Sequence, residues 1–203
     1  MTPDERRAIL RKAPPTVLGR EHTERTQVLP SREDLLEELP KGAIVAEVGA
    51  AFGDFSKEIL QRVVPEKLHL VDPWHSQRYE SGMGLIEEKF SREIAAGVIV
   101  LNRGLSVDIL PTFPDNYFDV IYIDTDHTYE TTLAELRLSE KKLKPGGLLT
   151  GHDFCIGNIV SPWPYGVIGA CHQFCVENNW GYRYLTLEHH GHYSFGLARL
   201  SEM

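Results

Sequence analysis

Cysteine is scarce in this sequence, with three in 203 residues. The set is odd in number, so it offers no complete disulfide framework. Cys171 and Cys175 stand four apart, where a helix places both on one face. They read as small buried apolar residues rather than as a metal or redox pair. Long apolar runs are also missing, and none approaches the roughly 20 residues that a membrane span needs. Positive charge is in deficit, with 21 Lys and Arg against 29 Asp and Glu and a formal net charge of −8. A protein that wraps nucleic acid needs a basic face, so that class is excluded, while a small anionic ligand held by a few local donors is not. Met1-Thr2-Pro3-Asp4-Glu5-Arg6-Arg7 leads into no apolar signal core. The expectation is a cytoplasmic enzyme with neither a membrane nor a nucleic-acid partner.

What is present suits one sizeable core, with 42% hydrophobic and 25% charged residues. Residues 1–30 are polar and helix-prone, interrupted by Pro14, Pro15 and Pro30. They read as a helical N-terminal extension, a lid or a homodimer contact, ahead of a main domain over residues 31–203. Ser31 with Asp34 three positions on signals the start of a helix running to Leu39. Short apolar runs then alternate with helical spacing. Strands are expected at 43–48, 68–71, 98–101, 118–123 and 147–151, and helices at 55–63, 83–96, 128–143 and 167–178. Such alternation means crossover connections and a parallel sheet covered by helices on both faces. Two final β-like runs, 182–187 and 193–199, have no helix between them and should pair as an antiparallel hairpin. The expected fold is therefore α/β, a Rossmann-like doubly wound sheet of seven strands with a reversed C-terminal hairpin strand.

Ligands in such sheets bind beyond the carboxyl ends of the strands. The first strand ends in Glu47-Val48-Gly49-Ala50-Ala51-Phe52-Gly53, where glycines let backbone approach a ligand. The middle glycine of GxGxxG is missing, and an acid ahead of the glycines suits a cationic ligand better than a pyrophosphate. Alone, the segment could equally be a plain strand-to-helix turn. The second strand ends in Asp72, placed to accept both hydroxyls of a ribose or, alternatively, to cap a turn. Trp74 either flanks a cofactor or packs under the loop, and Ser106 either lines an adenine pocket or caps a helix. The fourth and fifth strands end in Asp124-Thr125-Asp126-His127 and His152-Asp153. Capping explains one of these residues but not the set, which suits Mg²⁺ or another divalent ion with waters completing its shell. His189, His190 and His192 read as a solvated turn, with a metal or substrate site as the other reading.

In this order, Glu47-x-Gly49-x-x-x-Gly53 with Phe55-Ser56, then Asp72, Gly104-x-Ser106, Ile123-Asp124-x-Asp126-His127-x-Tyr129-Glu130, Leu143-Lys144-Pro145-Gly146-Gly147 and His152-Asp153, the chain resembles class I S-adenosylmethionine-dependent methyltransferases. Within them it is similar to the branch of macrocin-type sugar O-methyltransferases and cephalosporin-hydroxylase-like proteins. The resemblance covers roughly Ala43 to Phe154. It implies that Glu47, Gly49, Ala50 and Gly53 hold the methionine part of S-adenosyl-L-methionine and Asp72 its ribose, with Trp74, Ser106 and Asp124 bordering the same cofactor. It further implies that Asp124, His152 and Asp153 take a divalent metal, although the family commonly has a carboxylate or amide where His152 stands.

The expected reaction is methyl transfer to an oxygen of a small-molecule acceptor, a sugar or phenol type. His127 or His152 would remove the acceptor's proton, and His127 is preferred. The loop 159–166, with Trp163, Pro164 and Tyr165, is expected to cover the site. A hydrolytic or non-catalytic metal-binding relative of the same fold is the nearer rival. A nicotinamide-dependent oxidoreductase is the more distant one.

Overall fold

The computed structural model of the chain describes residues 1–160 and 162–203. Its α-helices are α1 (Pro3–Leu10), α2 (Arg32–Glu37), α3 (Asp54–Arg62), α4 (Gly82–Lys89), α5 (Ser91–Ala95), α6 (Ser106–Ile109), α7 (Tyr129–Lys142) and α8 (Val167–Asn178). The strands are β1 (Gln27–Leu29), β2 (Ile44–Val48), β3 (Lys67–Asp72), β4 (Ile99–Arg103), β5 (Phe118–Ile123), β6 (Leu143–Gly151), β7 (Gly157–Asn158), β8 (Trp163–Pro164), β9 (Trp180–Thr186) and β10 (Phe195–Arg199). Eight of them form one sheet in the order β1-β9-β10-β6-β5-β2-β3-β4, and β7 and β8 pair as a separate small ribbon. From β2 the chain steps outward through β3 and β4, then returns to β5 and β6 on the other side. The order thus reverses between β2 and β5, and the cleft opens at their carboxyl ends.

Strand parity distributes the core. Ala46 and Val48 point to the face covered by α7 and α8, where Leu133, Leu136, Ala170 and Phe174 pack. Val45 points to the opposite face, against Leu35, Leu36, Ile59 and Ile86 of α2, α3 and α4. Successive side chains alternate between faces, so both sides of β2 must be apolar. Each fully buried Leu or Ile contributes about 1.5–3 kcal/mol, which makes these two layers the frame for the loops above them.

The doubly wound α/β fold is present, with β10 antiparallel to both β6 and β9 as the reversed strand. The sheet has eight strands rather than seven. Gln27–Leu29, inside the segment expected to be only a helical extension, adds parallel to the outer edge of β9, and Thr26 Oγ1 donates to the Tyr182 carbonyl at 2.9 Å. Three residues are too few to show a period, yet they cover an otherwise open edge. The helix expected over 83–96 is broken in two at Phe90, whose backbone leaves the helical region and whose ring is buried. Burying that ring against the turn after β2 prevails over continuing the helix. Ser31 caps α2 through the Asp34 amide, and α8 spans the expected 167–178. Cys171 and Cys175 are fully buried in the α8 core. Among the described residues, no helix is long and apolar enough to cross a membrane.

Candidate functional site

The turn after β2 is shaped by close backbone approach. Gly49 has φ +98°, and a Cβ there would lie 1.9 Å from the Asp124 carbonyl oxygen, so the carboxyl ends of β2 and β5 touch only because residue 49 has no side chain. Gly53, φ +72°, begins α3 where a Cβ would meet Ile86 and Phe90 at 2.9 Å. Asp72 locks the turn to β3. Its carboxylate accepts from the Ala51 amide at 3.0 Å and the Trp74 amide at 2.8 Å, while the Trp74 indole donates to the Ala51 carbonyl at 2.8 Å.

Beside this clasp lies a cleft of about 430 Å³, walled by Gly49, Asp72, Tyr79, Ser106, Asp124 and Thr131 among others. Four of the expected cofactor residues, Gly49, Asp72, Ser106 and Asp124, therefore share one wall. Ala50, Gly53 and Trp74 do not line it, and Trp74 is buried beneath the loop. Ser106 is the first residue of α6, which Leu105 precedes as cap. Glu47 also stands off the cleft wall. It shares parity with Val45 and so points toward α3, where the Ser56 hydroxyl donates to it. Burial raises its pKa to about 8, with the Ser56 bond lowering it and the charge of Asp124 adding to the rise.

At the other end of the cleft, Asp124 joins a second group of side chains. His127 Nε2 lies 3.0 Å from Asp124 Oδ1 and 2.8 Å from Asp153 Oδ2, and its ring packs 4.6 Å from that of Tyr165. Both His127 (φ +61°) and Asp153 (φ +55°) hold left-handed backbone conformations, a strain that clusters at functional sites. Burial alone would lower the His127 pKa, but its hydrogen bonds to Asp124 and Asp153 and their charge outweigh burial and raise it to about 9. For Asp153 burial works upward, yet His127 and His152 hold it well below the ordinary carboxylate range. His152 Nδ1 is 3.6 Å from Asp153 Oδ1 and 3.9 Å from Asp124 Oδ2, while its Nε2 is buried with no partner among the described residues. Asp124, His152 and Asp153 thus converge closely enough to share one cation. Two carboxylates and one imidazole, whose Nε2 is unpartnered, fit a hydrated divalent ion. Asp126 is engaged otherwise: it accepts from Thr128 and Thr131 at the start of α7.

Sequence reasoning missed three contributors. Glu135 on α7 is buried beneath the cleft, accepts from Thr125 Oγ1 at 2.9 Å, and has its pKa raised by burial to about 7. Arg32 of α2 lies under the same strands, its guanidinium 4.6 Å over the Phe55 ring. His192, expected in a solvated turn, instead donates through Nδ1 to Asp153 Oδ1, although His189 and His190 are exposed. The helical spacing of α7, with Leu133, Leu136 and Glu135 inward, was the available signal for the first. For His192 the histidine cluster offered a metal or substrate site as the second reading, and nothing local signals Arg32.

A methyltransferase-domain family model matches residues 46–154, more than half of the chain. The chain belongs to that family. No curated protein matches it. Among solved structures it is similar to a SAM-dependent methyltransferase from Aquifex aeolicus (TM-score 0.61, 15% identity, 97% of this chain and 98% of that one). It is also similar to the O-methyltransferase TomG from Streptomyces achromogenes, involved in tomaymycin synthesis and solved with SAM (TM-score 0.62, 18% identity, 83% and 79%). Similarity to the pyocyanin biosynthetic protein PhzM (TM-score 0.57, 15% identity) covers 81% of this chain but only 54% of that protein. At these identities the likeness is one of fold.

Proposed function

We propose that this methyltransferase-family protein transfers a methyl group from S-adenosyl-L-methionine to an oxygen of a small hydroxylated metabolite, of sugar or phenol type, with a divalent metal at its acceptor end. One observation carries the reading: Asp124 belongs both to the cleft wall and to the imidazole–carboxylate group beyond it. A cofactor in the cleft therefore ends beside a proton acceptor. The macrocin-type branch is supported by the order of the motifs, and TomG is an O-methyltransferase of similar fold.

Asp72 keeps lone pairs free for ribose hydroxyls after accepting from Ala51 and Trp74, and Ser106 and Thr131 line the same cleft. Glu47, buried behind Gly49, holds its proton before the ligand binds and supplies a negative field to its cationic end once binding draws that proton off, rather than a direct contact. Bound there, the cofactor supplies an electrophilic methyl, and a divalent ion on Asp124, His152 and Asp153, magnesium among the candidates, supplies charge that acidifies the acceptor hydroxyl. His127 takes the acceptor's proton, and the tilted Tyr165 ring packs against the imidazole and holds it in place. With Asp124 and Asp153 as its only partners His127 holds a proton at neutral pH, so it serves as base once their charge is taken up.

Helix α1 and the β7–β8 ribbon face each other across a groove lined by Arg6, Leu10, Ile156 and Trp163, and Lys12 pairs with Glu130 of α7 at 2.8 Å. This supports the extension as a lid over the acceptor rather than as a homodimer contact. Within the covering loop 159–166, Ser161 lies outside the described residues.

The test is mass spectrometry of a panel of hydroxylated acceptors with and without EDTA. A product heavier by one CH₂ that disappears with EDTA is expected. No such product under any condition overturns the reading in favour of a hydrolytic or non-catalytic relative. Thermal shifts with S-adenosylhomocysteine and with NAD(H) separate the nicotinamide alternative.

A further inference from the structure

Beyond the methyl-transfer site, we propose that Asp153, Cys155 and His192 form a binding site for a zinc-class cation, which clamps the β9–β10 turn onto the end of β6. One ligand atom from each residue lies within 4.8 Å of the other two. Cys155 Sγ is 3.7 Å from His192 Nδ1, which in turn donates to Asp153 Oδ1. The placement follows from the sheet. β10 runs antiparallel to β6 with Phe195 opposite Gly151, and the pairing continues past the strand end as the Phe154 amide donates to the Tyr193 carbonyl at 2.9 Å. His192 is thereby brought beside the Asp153-x-Cys155 segment, two chain segments distant in sequence but adjacent in register. Cys155 and His192 both lie beyond residues 46–154, which the family model matches.

The donor set decides the ion. A thiolate beside an imidazole nitrogen and a carboxylate oxygen makes a zinc-type set, and the soft thiolate is the donor that sets it apart from the Asp124–His152–Asp153 group. The cluster shares Asp153, and its Oδ1, with the Asp124–His152–Asp153 set, and differs from it in drawing its other two donors from Cys155 and His192. Three protein ligands leave a fourth tetrahedral position open to water or an acceptor oxygen. His192 is partly exposed, which leaves a way in. On binding, the carboxylate–imidazole hydrogen bond is replaced by two metal–ligand bonds. The imidazole proton moves from Nδ1 to Nε2, which leaves a neutral ring, and the thiol proton of Cys155 leaves to solvent.

The experiment uses the full chain stripped of metal, then loaded with Zn²⁺ or Co²⁺ alone. Elemental analysis after gel filtration should find one retained zinc. Co²⁺ should produce a thiolate-to-metal charge-transfer band. Cys155→Ser and His192→Ala should each lose the retained zinc, and Asp124→Asn should keep it. Circular dichroism of the metal-free variants checks that they fold. Absence of the band in the unmutated protein overturns the proposal, whatever the variants do. So does a zinc content that neither Cys155→Ser nor His192→Ala lowers, or zinc lost only with Asp124→Asn. S-adenosylhomocysteine binding, measured on the same samples, reads the methyl-transfer site independently.

Discussion

At the β2–β3 end of the cleft, backbone holds backbone: Asp72 ties two amides together, and Gly49 lets β2 touch the carbonyl of Asp124. At the β5–β6 end, side chains from separate loops hold one another by charge, as His127 and His192 both meet Asp153. The first arrangement is complete without a ligand. The second places an imidazole between two carboxylates in strained backbone conformations, and it has something to gain from a cation or acceptor. One end is built for a constant ligand and the other for a step that moves charge.

His127→Ala strikes the charged end alone. Turnover should fall by roughly 10²–10⁴, the range for a general base, while S-adenosylhomocysteine affinity stays close to that of the unmutated protein. Calorimetry beside steady-state kinetics gives both numbers. Equal losses, or none, would remove His127 from the chemistry and erase the division between the ends.

Gly49→Ala attacks the seam that joins them. With φ +98° and the Asp124 carbonyl 1.9 Å from the new Cβ, strain and overlap should cost about 3 kcal/mol in urea unfolding. An alanine accepted without loss would show that the seam can open, and the two ends would no longer be rigidly related.

Asp72→Asn tests the backbone-held end more gently. It removes a charge-assisted acceptor, so S-adenosylhomocysteine affinity should drop about tenfold, near 1.4 kcal/mol, with turnover at saturation retained. Unchanged affinity would leave Asp72 as a clasp of the turn and nothing more.

The same contrast governs how much was legible in the sequence. The glycine turn, Asp72 and the strand alternation are local patterns, and the cleft is walled by segments that each follow directly from one parallel strand, so the alternation alone gathers them at one edge. His192 meets Asp153 across 39 positions of chain, and only the β6–β10 register brings them together. Arg32 likewise reaches the site from a helix that precedes the first predicted strand. The break at Phe90 and the edge strand Gln27–Leu29 were invisible for a related reason, since tertiary burial and an open sheet edge decided them rather than any period in the residues. Glu47 is an intermediate case. Its motif marked it as a ligand-binding acid, but strand parity turns it to the α3 side.

Glu47 therefore supplies the smallest and finest test. Its carboxyl ionises near pH 4.5 when exposed and near pH 8 in the fold. The folded protein binds this proton more tightly, so between those values the unfolded chain loses it first and stability falls as pH rises. Below pH 4.5 both states hold the proton, and above pH 8 neither does, so the slope vanishes at both ends. Glu47→Gln should remove a slope of at most about 1.4 kcal/mol per pH unit from the stability profile in that window. If the field of Glu47 serves the cationic end of the cofactor, ligand binding at neutral pH should also release a proton. Calorimetry in two buffers of different ionisation enthalpy would show it in the unmutated protein and not in Glu47→Gln. Release that persists in the variant would separate Glu47 from the ligand and leave it as a buried carboxyl held by Ser56.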